Sequence, residues 1–159
     1  NMADITSKLF ICIGGTQHEP VMVHIEPNKF CIMKEENVAN VPRVLIVDDE
    51  VEIGILLKRA LRKKFPVIEH ALSIEEGLSL AGALKPNIVL LDNNLPDGSG
   101  IERLDDFINL IPRSNIIVVS AMTHLGKLAL EKGAFAFIEK PLSVQAILQK
   151  IDEACGHSM

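Results

Sequence analysis

Each of four short apolar runs is followed within two residues by a side chain that can bind an ion or a phosphate group: Asp48 and Asp49, Asp92, Ser120, and Lys140. The runs are residues 44–47, 88–91, 116–119 and 135–138. Runs of this length with polar ends are typical of strands that are covered on both faces. If these strands lie parallel, their carboxyl ends meet at one sheet edge, where ligands of α/β proteins bind. The sequence therefore predicts a site with three carboxylates, a hydroxyl and an ammonium.

Three carboxylates at one edge repel one another and raise one another's pKa unless a cation lies between them. A hard divalent ion with oxygen ligands fits this need, and Mg²⁺, or Mn²⁺ in its place, suits a site with few carboxylates and several waters. We expect Asp92 and one acid of the Asp48-Asp49 pair to bind the ion directly and the other acid to act through water. Alone, the run Asp48-Asp49-Glu50 is also typical of a helix N-cap. Together with Asp92, it favours the metal site.

Asp92 is also a candidate nucleophile, because carboxylates can form acyl phosphates. Phosphoryl transfer depends mainly on positioning and countercharge, since negative charge spreads over the equatorial oxygens. Lys140 would supply one countercharge, and the Ser120 hydroxyl would donate a hydrogen bond to a phosphoryl oxygen. A lysine on the protein surface is the alternative for Lys140.

The rest of the chain from residue 43 alternates between predicted strands and helices. A short strand at 67–70 completes a set of five, and the helices are expected at 50–64, 73–84, 100–110, 123–132 and 143–154. Ser73 and Glu76 have the spacing of a capping box at the start of the second helix. This alternation predicts an α/β fold with a doubly wound parallel sheet and helices on both faces.

Residues 43–155 resemble the receiver domain of two-component response regulators. The resemblance is carried by several motifs in order: Asp48-Asp49, Asp92-Asn-Asn-Leu-Pro-Asp-Gly-Ser-Gly100, Ser120-Ala121, and Gly133-Ala-Phe-Ala-Phe-Ile-Glu-Lys-Pro141. It covers roughly the last three quarters of the chain and none of residues 1–42. It implies a flavodoxin-like sheet with the strand order 2-1-3-4-5.

The resemblance also implies a function, a signalling switch in a phosphorelay. Asp92 would be the phosphoacceptor for a sensor histidine kinase or a phosphotransfer protein, and the backbone carbonyl of Asn94 would be a further metal ligand. Ser120 and Phe137 would change position after phosphorylation, and the Lys140-Pro141 peptide would be cis. The face around the fourth helix, fifth strand and fifth helix would then bind a downstream protein or a second copy of the chain. Such a domain catalyses its own phosphorylation and dephosphorylation and turns over no separate substrate.

Two positions are expected to set the lifetime of the phosphoryl group. Asn94, two residues after Asp92, and Met122, two residues after Ser120, would flank the path of the attacking water. Met122 cannot orient a water, so we expect slower self-dephosphorylation than with an acid or an amide there.

Residues 1–42 read as a small β-rich extension and a linker, because short β-type runs alternate with turn residues. Such a segment is only marginally stable alone and is expected to pack against the receiver part or a second chain. Its strand edges could support a homodimer. Four of its side chains are of metal-binding type but lack compact ligand spacing, which favours scattered surface residues over a metal site: His18, Glu19, His24 and Cys31. Residues 156–159 form a tail, and two alternatives stay open, a stand-alone receiver or part of a longer regulator.

Composition narrows the classes of function. The formal charge of −5 and the pI near 5.5 argue against direct nucleic-acid binding. No apolar run approaches the roughly 20 residues that span a bilayer. The three cysteines form no even framework and no CxxC pair, which together with the absence of a secretory signal favours a cytoplasmic setting.

Two other functions compete with the switch. Phosphatases of the haloacid dehalogenase type also use an aspartyl phosphate and Mg²⁺, but they place an acid two residues after the nucleophile, where this chain has Asn94, and their nucleophile follows the first strand. The second is a receiver-like module that binds partners without phosphorylation. The presence of every expected site residue favours the phosphoacceptor.

Overall fold

The protein is described by a computed structural model, in which residues 41–156 are described. The elements in chain order are β1 (Arg43–Val47), α1 (Val51–Leu61), β2 (Val67–Ala71), α2 (Ile74–Leu84), β3 (Ile88–Asp92), β4 (Asn94–Leu95), β5 (Gly98–Ser99), α3 (Leu104–Leu110), β6 (Asn115–Ser120), α4 (Gly126–Glu131), β7 (Ala136–Glu139) and α5 (Val144–Ala154). One turn of 3₁₀ helix, Thr123–Leu125, precedes α4.

Five of the strands form one parallel sheet in the order β2-β1-β3-β6-β7. The strands β4 and β5 form a separate antiparallel pair in the loop after β3. When only the strands of the large sheet are counted, the order is 2-1-3-4-5, so the predicted flavodoxin-like arrangement is confirmed.

The sheet separates two hydrophobic cores because successive side chains on a strand point to opposite faces. Leu45 and Val47 of β1 pack with residues of α2, α3 and α4 on one face. Val44 and Ile46 of the same strand pack with residues of α1 and α5 on the other. All five residues of β3 are buried, as expected for a central strand covered on both faces.

Several predicted element bounds shift in the structure. The third helix begins at Leu104 instead of Gly100, because residues 99–101 are tied back to the end of β3. The Asn93 side-chain oxygen accepts hydrogen bonds from the Ser99 hydroxyl (2.8 Å) and from the Ile101 N–H (3.1 Å). The first helix ends at Leu61 instead of residue 64, and the last strand covers 136–139 instead of 135–138. Ser73 caps the second helix as predicted, since its hydroxyl oxygen accepts from the Glu76 N–H at 3.2 Å. The return bond of a capping box is displaced by one residue, because Glu76 Oε2 accepts from the Leu72 N–H at 2.8 Å and not from the Ser73 N–H.

Contacts within the chain divide it between residues 38 and 39, and every described residue belongs to the second unit. The β-rich extension, with its four side chains of metal-binding type, lies outside the described residues, as do residues 157–159. The boundary after residue 42 and the tail therefore stay predictions. Within residues 41–156, no helix is both long and apolar enough to cross a bilayer.

Candidate functional site

The carboxyl ends of β1 and β3 place two buried aspartates side by side. The strands are neighbours, with Val47 opposite Leu91, so the residues that follow, Asp48 and Asp92, meet at the same edge. Each of these two aspartates is only 4% exposed, whereas Asp49 is exposed. One carboxylate oxygen from each of the three residues lies within 4.8 Å of the others. The structure thus brings together the three acids that the sequence places at strand ends.

Lys140 reaches this acidic cluster from the other side of β3. Its backbone N–H donates to the Ser120 carbonyl at 2.9 Å, which continues the pairing of β7 with β6. Its ammonium lies 3.2 Å from Asp92 Oδ2 and 3.3 Å from Asp48 Oδ2. The peptide to Pro141 is cis, as the resemblance implies. Two buried carboxylates therefore share one ammonium.

Glu50 belongs to the site, although the sequence did not predict a role for it there. Its Oε1 lies 3.1 Å from the Lys140 ammonium. Glu50 occupies the N-cap position of α1, but its side chain makes no capping hydrogen bond. Instead, Asp48 Oδ1 accepts from the Glu50 N–H at 2.9 Å. The only sequence signal for this role is that Glu50 is the third acid of the run after β1.

The pKa values of Asp92 and Lys140 are both raised, but for different physical reasons. Burial raises the pKa of Asp92, and the nearby Asp48 adds to this effect, while the charge of Lys140 opposes it. Burial alone would lower the pKa of Lys140, but the hydrogen bond to Glu50 and the charges of Asp92 and Asp48 outweigh it. The net result is a raised pKa for Lys140. Lys140 is therefore a fixed cation at neutral pH, and ionised Asp92 needs more positive charge than Lys140 supplies.

The loop after Asp92 closes tightly on the end of β3. A β carbon at Gly100 would lie 2.2 Å from the carbonyl oxygen of Asp92, which no real contact allows. The Gly100 N–H donates to the Asn93 carbonyl at 2.9 Å, and this bond holds the close approach. Glycine at position 100 is thus required for the backbone of Asp92 to stay where it is.

The predicted switch and lifetime residues lie on β6 and β7 or in the loops that follow β3 and β6. Ser120 is 3% exposed, and its hydroxyl oxygen accepts from the Met122 N–H at 3.1 Å. The Met122 side chain is half exposed, and that of Asn94 is exposed, while the Asn94 N–H donates to the Asp92 carboxylate. Phe137 is partly buried and packs close to Gly126, where a β carbon would be 3.1 Å from its ring. Positions 92, 94, 120 and 122 therefore lie at or just beyond the carboxyl ends of β3 and β6, whereas Phe137 lies farther back in β7, opposite Val118 of β6.

The donor set fits a hard divalent cation. Its oxygens come from carboxylates, two of them buried, and Asp48, Asp49, Asp92 and Glu50 outnumber the single ammonium of Lys140. Oxygen ligands of this type are those that Mg²⁺ takes, usually with several waters. Asp48, Asp49 and Asp92 are the residues that could hold such an ion.

Comparison with known proteins agrees with this geometry. A family model described as the response regulator receiver domain matches residues 44–152. The chemotaxis protein CheY of Listeria monocytogenes is 31% identical over 115 residues, which cover 70% of this chain and 97% of that protein.

Two solved structures are similar to the fold as a whole. One is a chain of the CheX–CheY–BeF3–Mg²⁺ complex from Borrelia burgdorferi, with a TM-score of 0.66 and 31% identity, covering 72% of this chain and 89% of that one. The other is a response regulator from Burkholderia pseudomallei, solved with a phosphorylated aspartic acid, a calcium ion and citrate. It has a TM-score of 0.65 and 27% identity and covers 72% of this chain and 69% of that one.

Proposed function

The chain belongs to the response regulator receiver domain family, and from this premise we propose that it is a phosphorelay switch with Asp92 as its phosphoacceptor. The observation that carries the proposal is the position of the Asp92 carboxylate. It is buried at a strand end, 3.2 Å from the ammonium of Lys140 and clustered with Asp48 and Asp49. This arrangement combines a nucleophile, a fixed countercharge and a set of oxygen ligands for a divalent ion.

The proposed reaction is transfer of a phosphoryl group from a phosphohistidine to a carboxylate oxygen of Asp92. The new bond joins that oxygen to phosphorus, the phosphorus–nitrogen bond breaks, and its electron pair stays on the departing imidazole, which ends neutral after proton exchange with solvent. Asp92 must be ionised to attack, so the effect of burial on its pKa has to be offset. Lys140 offsets part of it and neutralises negative charge on the transferred group.

Asp48, Asp49 and Asp92 would hold Mg²⁺ or Mn²⁺, with the Asn94 carbonyl as a further ligand by family resemblance. The ion would supply the countercharge to the phosphoryl oxygens that one lysine cannot provide alone. Holding the acids at fixed positions is the contribution of β1, β3 and the loop that Gly100 closes.

Phosphorylation would change the protein by recruiting Ser120. Its hydroxyl oxygen now accepts a hydrogen bond within its own turn, from the Met122 N–H, and its proton can be donated to a phosphoryl oxygen. A shift of Ser120 toward Asp92 would open space on the far side of β6, and Phe137 would rotate into it. Two states that differ by a few kcal/mol are enough for phosphorylation to bias the equilibrium.

The proposed partners follow from this chemistry. The donor is a sensor histidine kinase or a phosphotransfer protein, in a cytoplasmic setting. The receiver of the signal is a downstream protein, or a second copy of the chain, that binds the face formed by α4, β7 and α5. Large apolar side chains exposed near this face, Leu128, Leu130 and Phe135, give it material for such a contact.

The phosphatase alternative is disfavoured by a specific residue. Asn94 stands two positions after Asp92, and an amide cannot donate a proton as a general acid in the way a carboxylic acid can. Asp92 also follows β3, whereas phosphatases of that type place the nucleophile after the first strand.

The test is incubation with phosphoramidate, a small donor with a phosphorus–nitrogen bond, with and without Mg²⁺. One stable phosphoryl group per chain that forms only with Mg²⁺ supports the switch. Steady hydrolysis of p-nitrophenyl phosphate under the same conditions supports the phosphatase, and neither adduct nor hydrolysis supports a module that binds partners without phosphorylation.

A further inference from the structure

His70 on β2 makes a hydrogen bond to the backbone of the acidic cluster. Its Nε2 lies 2.7 Å from the carbonyl oxygen of Asp48. A carbonyl oxygen only accepts hydrogen bonds, so Nε2 carries the proton and donates it. The imidazole is partly buried, and it lies beside the site without joining the set of candidate metal ligands.

This bond is one of four that hold Asp48, one of which is the bond that Asp48 Oδ2 accepts from the Lys140 ammonium at 3.3 Å. The Asp48 N–H donates to the Ala71 carbonyl at 3.0 Å, and Asp48 Oδ1 accepts from the Glu50 N–H at 2.9 Å. Because the peptide unit is planar, fixing the Asp48 carbonyl also fixes the N–H of Asp49 and the direction in which that residue leaves. One imidazole thereby restrains both acids of the pair, including the exposed Asp49.

The first turn of α1 leaves space for the imidazole ring of His70. A β carbon at Gly54 would lie 2.2 Å from both Cε1 and Nδ1 of His70, so any other residue would displace the imidazole. Glycine inside a helix lowers stability by roughly 0.5–1 kcal/mol relative to alanine. The space left by Gly54 is filled by His70, which accounts for a helix-interior glycine on α1.

We propose that His70 is a positioning residue that fixes Asp48 and Asp49 in the positions that bind the divalent ion. Gly54 leaves the space that the imidazole occupies. The proposal rests on the proposed function, since it assigns His70 a role in the metal affinity of that site. It makes no use of the charge state of His70, because both the Nε2–H neutral form and the cation can donate this hydrogen bond.

Four variants of the full chain test the proposal. His70→Leu removes the donor, and His70→Gln replaces it with an amide N–H of similar reach. Gly54→Ala keeps the imidazole but displaces it from the space beside α1. This variant still tests the proposal if His70→Leu does not fold. Glu69→Gln, at an exposed position on the same strand, is the matched control.

Two measurements are made on each variant. The first is the Mg²⁺ dissociation constant by calorimetry. The second is the hydrogen-exchange rate of the Glu50 amide in metal-free protein, since the Glu50 N–H donates to Asp48 Oδ1 directly. We expect His70→Leu and Gly54→Ala to speed exchange of this amide and to weaken Mg²⁺ binding roughly tenfold or more, and His70→Gln to stay within about threefold of the parent.

A purely structural His70 would give a different result. In that case His70→Leu lowers the urea midpoint but leaves local exchange of the Glu50 amide and the Mg²⁺ affinity as in the parent, which overturns the proposal. Failure of the parent itself to bind Mg²⁺ counts against the proposed function. Exchange of the Glu50 amide in the metal-free variants still decides whether His70 positions the Asp48 carboxylate.

Discussion

The ammonium of Lys140 lies 3.2 Å from the carboxylate of Asp92, although the two residues are 48 positions apart in the chain. Both side chains are largely shielded, with exposures of 19% for Lys140 and 4% for Asp92. The ion pair therefore connects the ends of β3 and β7 in a region where a charge left without its partner is costly. It also places the cation where a transferred phosphoryl group would need it.

Lys140→Met should destabilise the metal-free protein because it leaves Asp48 and Asp92 buried without an opposite charge. We expect a loss of about 3 kcal/mol in the free energy of unfolding at neutral pH. Addition of Mg²⁺ should restore much of it, since the ion can take the place of the ammonium. Urea unfolding followed by circular dichroism, with and without Mg²⁺, measures both effects.

The control for this variant is Lys132→Met, which breaks a surface pair with Asp105 at 2.9 Å. Surface pairs contribute about 0–1 kcal/mol, so this change should be small and insensitive to Mg²⁺. If the two lysine variants lost the same free energy of unfolding, the Lys140 pair would behave as a surface pair, which would contradict the prediction.

Asp92→Asn should stabilise the metal-free protein at neutral pH. Burial raises the pKa of Asp92, so the native state binds its proton more tightly than the unfolded state does. The parent therefore loses stability as the pH rises from the ordinary carboxyl pKa through the raised one, and the asparagine variant does not. The advantage of the variant should vanish at low pH and grow across that window. A variant that is less stable than the parent at neutral pH would contradict the raised pKa.

Asp97→Ala should weaken the start of α2. The two oxygens of Asp97 accept hydrogen bonds from the N–H groups of Ile74 at 2.9 Å and Glu75 at 3.0 Å. The slight burial of Asp97 alone would raise its pKa. The hydrogen bonds lower the pKa by more than burial raises it, so the net shift is downward. The stabilisation is thus present above the ordinary carboxyl pKa and is lost as the pH falls through the lowered one.

The expected size of the Asp97→Ala effect is that of a helix cap, about 1 kcal/mol at neutral pH. Glu102→Ala, an exposed acid near the start of α3, should change stability by less than about 0.5 kcal/mol. Chemical denaturation at pH 7 and at pH 3 measures both variants. A loss for Asp97→Ala that is the same at the two pH values would argue against the capping role.

Met122→Glu should shorten the life of the phosphorylated protein. The Met122 side chain is 50% exposed beside Ser120, and a carboxylate there could orient a water for attack on the acyl phosphate. We expect loss of the phosphoryl group to be roughly tenfold faster. Arg113→Glu, at an exposed position shortly before β6, is the control for adding a carboxylate and should leave the rate unchanged. Slower loss from Met122→Glu than from the parent would contradict the prediction.

The placement of the acids at one edge was predictable because it follows from short-range sequence information. Asp48 and Asp92 each follow an apolar run of four residues, and parallel strands bring such ends together. Lys140 follows from the same rule applied to the last strand. The roles of these residues stay proposals, but their proximity is a feature of the structure.

The contacts of Glu50 and His70 could not be read from the sequence in the same way. Glu50 meets Lys140 across 90 residues, and His70 meets Asp48 across 22, through side-chain rotamers that depend on how helices and strands pack. The late start of α3 has a similar origin, since it depends on the hydrogen bonds of the Asn93 side chain. These details belong to tertiary structure, which local patterns do not encode.

The central claim is that Asp92 accepts the phosphoryl group, and intact mass after incubation with acetyl phosphate and Mg²⁺ tests it most directly. The parent and Asp97→Asn, which changes an aspartate of the same loop outside the acidic cluster, should each gain one phosphoryl group. Asp92→Asn should gain none while keeping its fold by circular dichroism. An adduct of equal yield on folded Asp92→Asn, or none on the parent with Mg²⁺ bound, would contradict the account.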